Sequence, residues 1–359
     1  MKKRKVLRSI AVIAICIGLV MVSLYIYSKY QMRKIPELSF QEALEYTMKG
    51  NEEAIITVGI IENDKASYRV YGENGKELSS ELHTYEIGSL TKTFTAAMIS
   101  KAIEEGLIGI NNTIDEYLSL SKGNSYPTIK ELLTHTSGYK PYYFESQMIS
   151  NFLKGRNDFY GITKKMILDK ASDIDLPNEE YSFNYSNYGY AMLGLVLEEV
   201  YEEDYTALMN QYLQDDLQLP NTEISNKDGD LNNYWDWKDN DAYLPAGAIT
   251  SDILDMLAYA QMQMDQEKYF SQCHESIKEI SESTVQNKMM NINMDAIGMA
   301  WLIDKENNII WHNGGTDDYN SYMGFSPERG VAVVILSNLS PNYRIPATVI
   351  GIKLLKALN

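Results

Sequence analysis

Ser89-Leu90-Thr91-Lys92, followed by Thr93-Phe94-Thr95-Ala96-Ala97-Met98-Ile99-Ser100-Lys101-Ala102-Ile103, is the stretch on which the fold turns. Phe94, Met98 and Ala102, with Ile99 and Ile103, recur at helical spacing. Ser89 and Lys92, three apart, then share one side of a helix turn. A serine hydroxyl is a poor nucleophile until a neighbouring base takes its proton. At a helix N-terminus, free N–H groups and the dipole also favour developing negative charge. Ser-x-x-Lys recurs at Ser119/Lys122 and Ser137/Lys140. Those copies lie in Gly-, Ser- and Pro-rich stretches that read as loops. Only Ser89 opens a long apolar-periodic helix.

Outward from this helix the pattern changes twice. Before it, Ala54–Ile61 and Lys65–Tyr71, with Glu62-Asn63-Asp64 between them, read as a hairpin. After it, from about 108 to 237, the chain reads as mostly helical, with helices at Ile129–Leu133, Lys164–Lys170, Tyr188–Glu203 and Tyr205–Leu217. Residues 221–241 read as a long surface loop and Ser251–Gln263 as a further helix. Near the end, Gly298–Asp304, Asn308–Asn313, Ser321–Ser326 and Val331–Ser337 read as four short strands, and Ala347–Leu358 as a closing helix. Strands at both ends with helices between them predict an α/β (α+β) fold. An antiparallel sheet built from both chain ends is flanked by helices, with a large helical subdomain inserted. The α/β part would cover 35–107 and 245–359, and the helical part 108–244.

Residues 9–27 form an uncharged run of 19, about the length of a membrane-spanning helix. Five Lys or Arg precede it and three follow closely, which places the N-terminus in the cytoplasm and the rest outside the cell. Bulky Tyr25, Tyr27 and Tyr30 stand where a cleavage site would need small residues. The expectation is a single-pass protein of the cell membrane, residues 1–34 being cytoplasmic tip, transmembrane anchor and stalk, and 35–359 one folded domain. The first 34 residues carry eight basic groups and no acid, leaving 24 basic against 49 acidic residues beyond them, a net of −25. Such a surface repels nucleic acid and anionic lipid. Cys273 is the only cysteine beyond residue 34, so that part has no intramolecular disulfide. The sequence shows no zinc-ligand spacing and no phosphate-loop or dinucleotide glycine pattern, so neither metal nor cofactor is expected.

Two more clusters carry polar chemistry. In Asn184-Tyr185-Ser186-Asn187-Tyr188, Tyr185 is the one tyrosine of 27 with Asn two residues later. A phenol there suits a proton relay and the Asn187 amide suits substrate orientation. Ser186 or Asn187 equally suits a helix N-cap, and Ser182-Phe183-Asn184 is a rival register. In Trp311-His312-Asn313-Gly314-Gly315-Thr316, two glycines allow close backbone approach, and an N–H there can pair with that of Ser89 as an oxyanion hole. Asn-Gly-Gly is also a plain hairpin turn. Asp317 and Asp318 read either as solvated turn residues or as groups favouring a substrate amine.

Gly88-Ser89-Leu90-Thr91-Lys92, Tyr185-Ser186-Asn187 and His312-Asn313-Gly314 together resemble the serine β-lactamase and penicillin-binding-protein superfamily. The first two resemble its class C β-lactamase and D-alanyl-D-alanine carboxypeptidase branch. Leu132-Leu133-Thr134-His135-Thr136-Ser137-Gly138, Pro245-Ala246-Gly247 and Gly298-Met299-Ala300-Trp301 agree, so the resemblance runs from about residue 40 to 355. It implies Ser89 as acylated nucleophile, Lys92 and Tyr185 sharing proton transfer, and Asn187 binding the substrate amide. The N–H groups of Ser89 and Gly315 would form the oxyanion hole, with Gly314 beside them. His312 stands where most true β-lactamases have Lys, a neutral ring in place of a fixed cation. His135 is read as supporting the structure, outside the site. The implied function is a membrane-anchored, extracellular D,D-carboxypeptidase-like serine hydrolase on D-residue or cell-wall peptides. The alternative is a β-lactamase or esterase, so the partner is a small peptide, β-lactam or ester. A non-catalytic penicillin- or wall-peptide-binding protein would be marked by a lost Ser89 or Lys92, and both are present.

Overall fold

The structure, a computed structural model, describes Gly18, Met21 and residues 33–225 and 229–358. Strands β1 (Ile56–Glu62), β2 (Lys65–Gly72) and β3 (Lys76–Glu77) come first in the chain. Next are β4 (Tyr85–Glu86), β5 (Glu223–Ile224) and β6 (Ile249–Ser251), which form a separate three-stranded sheet in the order β4-β6-β5. The C-terminal part supplies β7 (Lys278–Glu279), β8 (Ala296–Ile297), β9 (Leu302–Asp304), β10 (Ile309–Gly315), β11 (Asn320–Ser326) and β12 (Val331–Ser337). With β1–β3 these make a nine-stranded antiparallel sheet, β3-β2-β1-β12-β11-β10-β9-β8-β7. The expected sheet from both ends is there: β1 pairs along its whole length with β12, Ile56 opposite Ser337 and Glu62 opposite Val331.

Local chemistry explains these elements. Asn63 and Asp64 both take left-handed φ, +52° and +57°, the two-residue turn that matches hairpin twist. The helix Phe40–Met48 starts at a capping box of Ser39 and Glu42. The helix Ile129–Leu133 starts at another, Thr128 with Glu131. β12 is buried throughout, as its unbroken apolar run requires, because helices cover both faces of the sheet. On one face lie Phe40–Met48 and the final helix, Ala347–Ala357. On the other lies the larger core around Thr91–Glu104, whose residues from Thr91 to Ser100 are all buried. Phe94 stacks there on Tyr259 with ring centroids 3.9 Å apart.

Three expectations change. Among the described residues no helix is long and apolar enough to cross a membrane. The longest of those named here, Asn187–Tyr201, has 15 residues, about 22 Å of rise against roughly 30 Å of bilayer hydrocarbon. The expected N-terminal transmembrane helix is therefore corrected. So is the single-pass cell-membrane placement, with its cytoplasmic N-terminus and extracellular catalytic domain. Apart from Gly18 and Met21, the run 9–27 lies outside the described residues. Gly298–Trp301, read as the start of a strand, is a turn: Ala300 sits at φ +69° and Gly298 lies against the Cys273 carbonyl. Of the 221–241 stretch, residues 223–224 form β5 and the part from 229 onward is tied down rather than free. Tyr234 Oη donates to Thr84 O at 2.7 Å, and Tyr319 Oη donates to Asn232 O at 2.7 Å.

Candidate active site

Gly88 takes φ +52°, a conformation that favours glycine, and starts the one-turn 3-10 segment Gly88–Leu90 that leads into the Thr91–Glu104 helix. Gly88 and Leu90 are buried, while Ser89 between them is half-buried. Strand β10 presses on this turn. A methyl group added at Gly88 would strike Gly315 N, and one at Gly314 would fall on Ile87 O. Ser321 Oγ donates to the same Ile87 carbonyl at 2.7 Å, stitching β11 to the turn. Glycine at 88 and 314 thus lets the backbone of β10 lie against the turn that bears Ser89, while a methyl group at 315 would meet Pro341. The Gly314 carbonyl accepts from Asn320 Nδ2 at 3.1 Å, and Asn320 Oδ1 accepts from Ala347 N, tying β10 to the last helix.

Lys92 is fully buried. Its Nζ lies 3.0 Å from Ser89 Oγ and donates to Ala246 O at 2.6 Å. Burial disfavours the ammonium and pushes its pKa well down. An amine in this state can accept the serine proton. Tyr185 lies on the approach to the Asn187–Tyr201 helix, with Lys92 Nζ 4.9 Å from its ring centre. Burial raises the phenol's pKa, against a smaller opposite pull from its hydrogen bond with Ser89. Its hydroxyl therefore stays protonated, ready to pass a proton on. Asn187 is the first residue of that helix, and Ser186 is its cap, accepting from Gly189 N at 2.9 Å. The N-cap reading of the cluster holds for Ser186. The rival register does not: Ser182 and Asn184 are exposed, and Asn184 Nδ2 donates away to Tyr139 O at 3.1 Å.

His312 is buried on β10, its ring centre 6.4 Å from that of Tyr185. Burial and the nearby Lys92 push its pKa down to about 3, and its bond to Asn313 O, 2.7 Å from Nδ1, only partly offsets this. It stands neutral where a fixed cation would otherwise sit. Asp317 and Asp318 are exposed just beyond Thr316. Their charge contributes to raising buried Glu86 to about 7, although burial is the larger cause. Among the described residues no cluster of His, Cys, Asp or Glu could hold a metal.

Two groups lie against these candidate residues that the sequence reading did not place there. One is the Ala246 carbonyl, a backbone atom that no side-chain pattern announces. The other is His135, assigned above to structure. It is buried at φ +55°, with its ring centre 4.5 Å from that of Tyr185. Its Nδ1 accepts from Ser186 N at 3.1 Å, which puts the ring proton on Nε2, an atom with no partner in the protein. Burial, with Lys92 and His312 adding repulsion, holds the ring neutral. The left-handed backbone at His135 was the signal available only from structure.

The Beta-lactamase family model matches residues 41–350. "Protein flp" of Staphylococcus aureus strain MW2 is 25% identical over 312 residues, an alignment covering 79% of this chain and 59% of that protein. The chain thus spans well under two thirds of that relative's length. A solved "Beta-lactamase/D-alanine Carboxypeptidase from Yersinia pestis complexed with citrate" is similar in fold, with TM-score 0.69 and 18% identity over 88% of this chain and 95% of that one. The "octameric penicillin-binding protein homologue from Pyrococcus abyssi" has TM-score 0.67 and 20% identity, over 95% of this chain and 77% of that one.

Proposed function

The chain belongs to the beta-lactamase family, and from that premise we propose that it is a serine hydrolase working through an acyl-enzyme on Ser89. The observation that carries this reading is a buried lysine 3.0 Å from the hydroxyl of a half-buried serine. Lys92 Nζ takes the Ser89 proton while Oγ bonds to the substrate carbonyl carbon. The oxyanion accepts from the N–H groups of Ser89 and Gly315, which the glycine contacts hold close. Tyr185 passes the proton to the departing amine or alcohol as its bond to carbon breaks. Water then releases the acyl group by the reverse relay. Asn187, at the head of its helix, orients the acyl side.

The finer reading is a D,D-carboxypeptidase-like peptidase on D-residue peptides, in line with the description of the Yersinia protein. A second reading, an esterase, is favoured by one observation. His312 is neutral, so the site holds no fixed cation at that position for a substrate carboxylate.

The test is intact mass of the purified full chain with benzylpenicillin, beside turnover of an activated ester, for wild type and Ser89→Ala. The expected result is an adduct or drug consumption on wild type alone and an ester rate at least about 1000-fold lower in the variant. Equal ester turnover by Ser89→Ala would remove Ser89 from the mechanism.

A further inference from the structure

A cavity of about 410 Å³ opens beside the candidate nucleophile, within the size range of small-molecule sites. It exists because β9 leaves β10 early. The two strands pair only from Ile309 to Trp311, so His312 and Asn313 lie beyond the last pair and line the cavity. Its wall is uncharged and partly apolar, with Asn287, Asn313, Asn320 and Thr348 among its polar groups. Ile292, Met294, Ile297, Leu302 and Trp311 supply apolar surface, and Pro341 and Pro346 close the far side. None of its lining residues is Asp, Glu, Lys or Arg. The two histidines that line it, His135 and His312, are both held neutral by burial.

The cavity's position says which half of a substrate it meets. Tyr185 lines it, whereas Ser89, Gly315 and Asn187 do not. In the acyl-transfer reading above, on which this inference rests, Tyr185 hands its proton to the leaving atom. The group attached to that atom therefore lies on the Tyr185 and His312 side. The acyl half lies toward Asn187 and the oxyanion donors. We infer that this cavity is the leaving-group pocket and that it selects uncharged, apolar leaving groups of aryl or branched-alkyl size. A carboxylate there would lose its hydration with no cation in exchange. An apolar group would trade water for Ile, Leu, Met and Trp surface.

Three hippuryl esters separate the terms, because all give the same acyl-enzyme and differ only in what leaves. The benzyl ester has a neutral ring, the methyl ester has none, and the phenyllactate ester has the ring plus a carboxylate. In each, Oγ of Ser89 bonds to the carbonyl carbon, the ester C–O bond breaks, and the alcohol departs with the proton. The expected kcat/KM for the benzyl ester is at least about tenfold above both others. Met294→Arg, which puts a cation in the wall, is expected to raise the phenyllactate-to-benzyl ratio at least about tenfold. Reading ratios within each protein makes loss of folded protein irrelevant. A phenyllactate ester cleaved as well as the benzyl ester by wild type, or a ratio unmoved by Met294→Arg, overturns the pocket while leaving Ser89 in place. Wild type no faster than Ser89→Ala on every ester overturns the acyl-hydrolase reading itself.

Discussion

The chemistry proposed for Ser89 depends on one side chain being in an unusual state. Lys92 has water on no side, and its Nζ meets only a hydroxyl and the Ala246 carbonyl among the hydrogen bonds described. A lowered pKa means the amine is neutral over a range where an ordinary lysine, near 10.5, is charged. Acylation should then fall as pH drops through that lowered value and be flat above it. The prediction is a kcat/KM plateau reached well below the ordinary lysine value of 10.5, and a loss of about 100- to 10,000-fold for Lys92→Arg, which cannot release its proton. A rate still climbing tenfold per pH unit toward pH 10 would mean that a normal lysine is the base. At this scale much was legible in advance. Ser89, Lys92, Tyr185 and His312 lie in motifs of fixed type and spacing. His135 and the Ala246 carbonyl were not, since their parts depend on a left-handed backbone and a main-chain atom, neither of which has a letter.

Among the elements, the contact between β10 and the Ser89 turn is the tightest constraint. Gly314 has no space for a methyl group, because the nearest atom is the backbone oxygen of Ile87, which cannot swing aside. Gly314→Ala should displace β10 from the turn and lower kcat by about 100-fold, the usual scale for misplacing a reacting group by an ångström. Gly247→Ala, where the nearest atom is Gly88 C at 3.9 Å, should stay within about threefold. Similar losses in both variants would show that the close approach is not what sets the geometry. The longer elements were legible because apolar periodicity repeats over several turns or pleats. β3, β5, β7 and β8 were not, since two residues have no period, and their pairing is imposed by neighbours. The Tyr205–Leu217 helix was read as continuous, but from Tyr212 it widens into a π turn, which composition does not reveal.

For the whole molecule, buried Glu86 joins three distant pieces of chain. Its carboxylate accepts from Trp235 N at 2.6 Å and from Thr316 Oγ1 at 2.6 Å, linking β4, the 229–241 stretch and the end of β10. Its pKa rises from 4.5 to about 7, chiefly through burial. A raised folded-state value means the folded protein holds a proton that the unfolded chain releases. The resulting stability is present below pH 4.5 and is lost as pH rises through about 7, roughly 3 kcal/mol for a shift of this size. Buried His312 and His274, each lowered to about 3, act oppositely, removing stability as pH falls below 6.5. The comparison must therefore be with Glu86→Gln. Between pH 5 and pH 8 the wild type should lose more unfolding free energy than the variant, as read from denaturant melts. Parallel curves would mean that Glu86 is ionised throughout.

The pairing of β1 with β12 gives the order of synthesis a meaning. As the polypeptide leaves the ribosome, the nucleophile and its lysine emerge early, while β10, β11 and β12 emerge late. Until then β1 lacks the neighbour along which all seven of its residues pair, and the turn bearing Ser89 lacks the strand that presses on it. A nascent chain thus carries Ser89, Lys92 and Tyr185, the nucleophile, base and acid of the proposed reaction, without the surroundings that make them reactive. The hydrolytic capacity is switched on by completion.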